Sequence, residues 1–224
     1  MSTVDAIPTR KPLGIFWDNS NIAFTRRELI PKFESTRRHS DLRIHFLNMF
    51  DFARFGRVVD AFVMVGSLPP ENDPLWRRVM DIRAHVKGPF DLIKLRRDTN
   101  NKEQGVDDTL RAELFRFCIS HCKNPGKVVL LTGDGTGYAR GKGFFDAMEQ
   151  VVEQLQWGAE LCAWDCSCHG EMKKWAQSNH QTKYRNLELV YNQVTFIEGG
   201  RKATPLAQQL QSISATAPSP PATS

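Results

Sequence analysis

The sequence predicts an α/β fold, a three-layer α/β/α arrangement around a mostly parallel central sheet. Three observations carry that expectation. Short continuous apolar runs recur along the chain, as in strands covered on both faces. Segments of helical period lie between them, the alternation that builds parallel sheets. The chain is also long enough, at 224 residues with 41% hydrophobic side chains, to bury a full core without disulfide or metal staples.

Taken in order, Leu13-Gly14-Ile15-Phe16-Trp17 is a continuous apolar run and the first strand. A helical period follows over about Asp41 to Phe55, with Leu42, Phe46, Met49, Phe50 and Phe52 apolar. Val58 to Val65 reads as a strand. Pro74 to Val86 reads as a helix that starts on proline and sets Leu75, Val79, Ile82 and Val86 on one stripe. Phe90 to Leu95 is a weaker, more alternating strand. Val106 to Cys122 is a helix with Val106, Leu110, Leu114 and Phe117 facing inward. Val128 to Leu131 is a further strand, and Phe144 to Leu155 a helix with Gly158 as its stop signal. Leu161 to Trp164 and Val194 to Ile197 are the last two strand candidates. No internal repeat or linker interrupts residues 12–202, which are expected to form one domain. Residues 1–11 are polar and expected to be flexible. Residues 203–224 lack Asp, Glu, Lys and Arg and are rich in Pro, Ser, Thr, Ala and Gln, the composition of a disordered tail.

Composition narrows the function classes. With 25% charged and 10% aromatic residues, the chain is neither disordered nor collagen-like overall. It contains no run of about eighteen apolar residues, and its start lacks a secretory h-region, so a cytoplasmic protein without membrane association is expected. Five cysteines in such a compartment argue against a disulfide framework. Lys and Arg total 30 against 25 Asp and Glu, a net +5 with a pI near 9.0. That balance leans mildly toward an anionic partner.

The carboxylates are placed more tellingly than they are numerous. In open parallel sheets, ligands bind beyond the carboxyl ends of the strands. Two strong strand candidates end in aspartate, as Trp17-Asp18-Asn19-Ser20-Asn21 and as Leu131-Thr132-Gly133-Asp134-Gly135. A third acidic group, Asp107 and Asp108, sits at a helix start, where the dipole favours negative charge. Singly, each has an ordinary explanation: Asp18 as turn residue or cap, Asp107 as cap. Together they form an oxygen-rich edge that repels itself unless a cation intervenes. Oxygen ligands select hard ions, so Mg²⁺ or Mn²⁺ is the expected cofactor. Such a site binds phosphate and activates water for in-line attack on a phosphodiester.

At these residues the sequence resembles the NYN family, a branch of the PIN-like nucleases. Asp18-Asn19-Ser20-Asn21 fits the Asp-x-x-Asn that ends the family's first strand. Lys102, Gly105, Val106 and Asp107 match its Lys-x-x-Gly-Val-Asp block, and Glu113 occupies the acidic position six residues on. Thr132-Gly133-Asp134 matches its Ser/Thr-Gly-Asp strand end, and Trp157-Gly158-Ala159 is similar to the step before the next strand. The resemblance covers about Leu13 to Glu198. It implies a PIN-like, Rossmann-like fold and metal-dependent hydrolysis of RNA. Asp18, Asp107 and Asp134 would be the catalytic, metal-holding aspartates. Asn21 would orient Asp18 or meet a phosphate, with Ser20, Thr132 and Glu113 in support behind the ligands. One departure is that Thr136 stands where many members carry a second Asp. The ligand set is thereby one carboxylate short, which leaves one ion or two open, with Asp108 or Asp146 as substitutes.

Arg26, Arg27, Lys32, Arg37, Arg38 and Arg43 follow the first motif, and Arg140 and Lys142 lie in the loop after Asp134. Of these, Arg26, Arg27, Arg140 and Lys142 are the candidate phosphate contacts, against the plainer reading of a solvated face. Trp76 and Tyr138 are minor candidates for base stacking. The expected partner is RNA, single-stranded, with DNA and homo-oligomerisation left open. The alternative is a catalytically weak or silent RNA-binding or scaffold domain, and a small-phosphoester phosphatase is more distant. Cys162, Cys166, Cys168 and His169 lack a common zinc spacing and are read as structural. Gly133 to Gly137 lacks the Gly-Lys-Ser/Thr ending of a P-loop.

Overall fold

Strand β1 (Leu13–Asp18) is buried along its whole length and lies at the centre of a six-stranded, all-parallel sheet. The computed structural model describes residues 10–34, 41–67, 77–95, 105–134 and 143–206; the side chains of Phe24, Arg26 and Ser67 fall outside that set. β1 is flanked by β3 (Ala61–Ser67) and β5 (Lys127–Leu131), with Asp18 opposite Val65 and Trp17 opposite Leu131. β4 (Phe90–Leu95) lies outside β3, while β6 (Gly158–Ala163) and β7 (Thr182–Asn186) extend the other side. The spatial order is β4-β3-β1-β5-β6-β7. Counting only this sheet's strands along the chain, the order reverses between the first and the fourth, the doubly wound pattern whose switch point is a ligand-binding crevice. That crevice opens between the carboxyl ends of β1 and β5.

Side-chain alternation along the strands divides the core into two layers. Ile15 and Trp17 of β1, Phe62 and Met64 of β3, and Val129 and Leu131 of β5 face one side. They pack under α1 (Asn19–Phe24), α2 (Arg26–Phe33) and α3 (Phe46–Arg54). Phe16, Val63, Val65, Val128 and Leu130 face the other. They meet α4 (Val106–Ser120), α5 (Phe144–Glu153) and α6 (Gly170–Ser178). The stripe Val106, Leu110, Leu114 and Phe117 is buried as its spacing predicts. Helices on both faces make the three-layer α/β/α fold.

Several elements differ from expectation. Within 41–55 only Phe46–Arg54 is helical, because His45 is extended and its Nδ1 caps the helix by accepting from the Asn48 N–H at 3.2 Å. Leu42–Ile44 instead forms β2, paired antiparallel with β8 (Thr195–Ile197) in a separate two-stranded sheet. The predicted strand near 194–197 therefore lies outside the main sheet. Its place there is taken by β7, a polar segment with no apolar run to announce it. Within 74–86, residues 77–79 are helical and Met80–His85 is a 3-10 helix, while residues 74–76 lie outside the described set. After α5 the left-handed residue is Gln156 (φ 58), and Gly158 opens β6 rather than ending the helix. Both predicted termini stay on the domain further than expected. Arg10 pairs with Asp60, the Thr204 N–H donates to Asn192 O at 3.0 Å, and Leu206 packs against the core. No helix among the described residues is long and apolar enough to cross a membrane.

Candidate functional site

Strand β1 ends on Asp18, whose backbone stays extended while α1 begins at the next residue. The carboxylate therefore turns back over the helix start, and Oδ1 accepts the Asn21 N–H at 3.0 Å. This is the cap foreseen as the ordinary role of Asp18. Its second oxygen does something a cap does not need. Oδ2 accepts the Thr132 hydroxyl at 3.1 Å, a bond across 114 residues of chain to the end of β5. Asp18 is only 3% exposed and Thr132 fully buried.

The β5 end is fastened by the same residues. The Thr132 hydroxyl accepts the Asp134 N–H at 3.2 Å, and the Asn21 carboxamide Oδ1 accepts the Gly133 N–H at 2.7 Å. Beyond β6, the His169 N–H donates to Gly133 O at 3.0 Å, and the Ser167 and Thr25 hydroxyls bond at 3.0 Å. Trp164 Nε1 ties β6 to α1 through Ile22 O at 3.1 Å. Gly133 is enclosed: a Cβ there would lie 3.1 Å from Ser167 O and 3.3 Å from Asn21 Oδ1. The loops after β1, β5 and β6 thus converge on one glycine amide and one threonine hydroxyl.

Asp18, Asn21, Thr132 and Asp134 are brought together at this crevice. Asp134 is half-buried. Helix α4 runs antiparallel to the strands it covers, so its start, and half-buried Asp107, belong to the same edge. Gly105, just before it, lies by Leu95 at the end of β4. Ser20 is buried on the β3 side, 3.6 Å from where a Gly66 Cβ would stand. Asp108 points to solvent and pairs with Arg111 at 3.6 Å. Asp146, in the first turn of α5, accepts from Gln150 at 2.8 Å. Glu113 chelates Arg116 at 2.8 Å. It lines a cavity of about 500 Å³ with Asp60, Lys87 and Asp91, residues that precede or open β3 and β4, so it sits toward the opposite edge.

Of the basic candidates, Arg27 is exposed on α2, while Lys32 and Arg43 are engaged with Glu188 and Glu198. Lys102, Thr136, Arg140 and Lys142 lie outside the described residues, as do Trp76 and Tyr138, and so does the side chain of Arg26. The cysteine segment serves the loop junction instead of a metal. Burial pushes the Cys168 thiol up to about 11. Burial and the Glu188 carboxylate push Cys166 to about 12, so neither is a ready thiolate ligand. Ser167 and the His169 amide were not foreseen. Their signal was a third strand ending in an acidic step, Trp164-Asp165, at the same edge.

The donor set at the crevice, three carboxylates with one hydroxyl, fits a hard divalent cation such as Mg²⁺ or Mn²⁺ and is foreign to zinc. Among the described residues, no three His, Cys, Asp or Glu side chains form one cation-sized group.

No family model matches the chain, and no curated protein matches it. A solved structure of a protein of unknown function from Vibrio parahaemolyticus is similar, with a TM-score of 0.49 and 14% identity over 80% of this chain and 93% of that one. Likeness at that level names neither a family nor an activity.

Proposed function

We propose that the protein is a metal-dependent ribonuclease that hydrolyses RNA phosphodiester bonds at the β1/β5 crevice. The observation that carries this reading is the fastening of Asp18 to Thr132 across the switch point. A carboxylate this buried is costly unless donors or a cation compensate it. Capping α1 occupies one oxygen and could be done from a solvated position. The bond from Thr132 instead holds the second oxygen in the crevice, beside the chain that carries Asp134. The resemblance to the NYN family rests on the same residues and supports the same reading.

In this proposal Asp18, Asp107 and Asp134 hold the cation, and Thr132 fixes the carboxylate of Asp18. Asn21 acts twice, through its N–H on Asp18 and through its carboxamide on Gly133, so the two aspartate-bearing loops keep one spacing. Arg26 and Arg27, with Arg140 and Lys142, supply phosphate contacts that add affinity without sequence choice. Bound Mg²⁺ or Mn²⁺ would neutralise phosphate charge and lower the pKa of the attacking water.

The test is incubation of the protein with an unstructured RNA, with and without Mg²⁺ or Mn²⁺, beside the Asp134→Asn variant. Cleavage that needs the metal and disappears in Asp134→Asn, with an unchanged circular dichroism spectrum, is the expected result. Undiminished cleavage by Asp134→Asn overturns the assignment. Salt-sensitive RNA binding by the wild type without cleavage assigns the protein to the alternative, a silent RNA-binding domain.

A further inference from the structure

We propose that the Asn19 carboxamide reads the ribose 2′-hydroxyl of the strand at the crevice and so selects RNA over DNA; the inference deepens the ribonuclease reading and rests on it. Asn19 directly follows Asp18, and its side chain is turned the opposite way from that of Asn21. Asn21 reaches the β5 loop. Asn19 lies over the end of β3: a Cβ on Gly66 would stand 3.1 Å from Asn19 Cβ and 3.5 Å from its Nδ2. The residue fits there because position 66 has no side chain. Asn19 is 5% exposed, yet its Oδ1 is buried and accepts no hydrogen bond among the described residues.

A buried amide oxygen without a donor is unfavourable, and proteins rarely keep one. The first residue of a helix needs no carboxamide, so local structure does not explain it. The oxygen needs a donor, which narrows the ligand. Phosphate oxygens in a nucleic-acid strand carry no hydrogen. The ribose 2′-hydroxyl does, on the carbon next to the one that bears the 3′ phosphate. A strand whose phosphate is held at Asp18 brings this hydroxyl to the neighbouring residue. The match is two-way, because a carboxamide donates and accepts, as does a hydroxyl. DNA lacks the group, and the 2′-hydroxyl is how proteins distinguish the two at a given site.

The experiment compares the wild type, Asn19→Ala and Asn19→Leu on matched RNA and DNA oligonucleotides and on an RNA with one 2′-deoxy sugar at the cleavage position. The wild type should favour RNA over both. In each variant the RNA-to-DNA ratio of kcat/KM should fall about tenfold or more, the cost of one lost bond to a desolvated group. Neither variant should lower the Tm, since each removes an unsatisfied oxygen rather than a made bond. A ratio that does not move, or a Tm that drops by several degrees, assigns Asn19 to the structure, with an internal water as its donor, and overturns the inference. If the wild type cleaves neither polymer, the ribonuclease reading fails by itself. The same oligonucleotides in a binding titration then decide the inference. A preference for RNA lost in Asn19→Ala sustains it, and equal affinity for RNA and DNA ends it.

Discussion

Replacing Thr132 with valine isolates the bond that joins the two halves of the crevice. Thr132 is fully buried, and valine has nearly its shape, so the change removes one hydroxyl and leaves the packing intact. That hydroxyl donates to Asp18 Oδ2 at 3.1 Å and accepts the Asp134 N–H at 3.2 Å. A bond to a charged group contributes about 1.5–3 kcal/mol and a neutral one about 1 kcal/mol. The Asp134 amide sits at the half-buried rim and recovers part of its loss by hydration, which leaves about 2–3 kcal/mol. For a domain of this size that corresponds to a fall in Tm of roughly 5–10 °C. Guanidinium unfolding followed by circular dichroism measures it, as a lower midpoint at unchanged m. Thr132→Ser keeps the hydroxyl and loses one methyl group, so it should cost only about 1 kcal/mol. A loss below about 0.5 kcal/mol for valine, or serine no better than valine, would show that the hydroxyl does not join the loops. Under the ribonuclease reading the valine variant also loses most of its metal-dependent cleavage.

Glu160→Gln tests the buried ion cluster under β6, where Glu160, 2% exposed, is gripped by Arg57 at 2.7 and 2.8 Å and by Arg185 at 2.7 Å. Leaving Arg185 uncompensated should cost about 3 kcal/mol, and replacing Glu160 and Arg185 together by methionine should cost less than the single change. Burial alone would raise the Glu160 carboxyl, but hydrogen bonds from Arg57 and the charges of Arg185, Arg57 and Lys127 hold it below its ordinary 4.5. A depressed carboxylate stabilises the fold above the unfolded-state value. The gap between wild type and Glu160→Gln should therefore be full at neutral pH and narrow as pH falls below about 4.5; a gap constant down to the acid transition would contradict this. Gly133→Ala drives a Cβ against Ser167 O at 3.1 Å and Asn21 Oδ1 at 3.3 Å, and should cost about 1–2 kcal/mol, with an Asn21→Ala background relieving part of it. Among the thiols, Cys122 is exposed and Cys118 and Cys162 are buried. Burial pushes the last two to about 12. With Cys166 and Cys168 also raised, one thiol should react promptly with a disulfide reagent near neutral pH and the rest on unfolding. A second fast thiol would count against the raised values.

Much of the fold was legible because the central strands announce themselves. β1, β3, β5 and β6 are covered on both faces, so they read as unbroken apolar runs, and their aspartate-bearing ends could be placed on one edge before any coordinates. The stripe on α4 was equally plain. What escaped lies where burial is one-sided or supplied by partners. β7 reads Thr-Lys-Tyr-Arg-Asn, and it joins the sheet because β6 pairs with it and Glu160 neutralises Arg185. β2 and β8 are three residues each, too short to register a period, and exist because they pair with each other. At the site, Asp18 and Asp134 could be read as neighbours in space. The hub between them could not, since a threonine hydroxyl at a strand end has no pattern of its own.

Residue order alone determined the layer plan and the edge at which the acidic residues collect, because strand burial and strand direction follow from local pattern and chain connectivity. The tertiary structure decided which side chains meet there. It gave Asn21 to Gly133 and Thr132 to Asp18, removed Glu113 to Arg116, and left the oxygen of Asn19 buried without a donor. Hydrogen-bond partnership depends on distances of a few tenths of an ångström between residues more than a hundred positions apart, and such proximity is set by packing, not by sequence period.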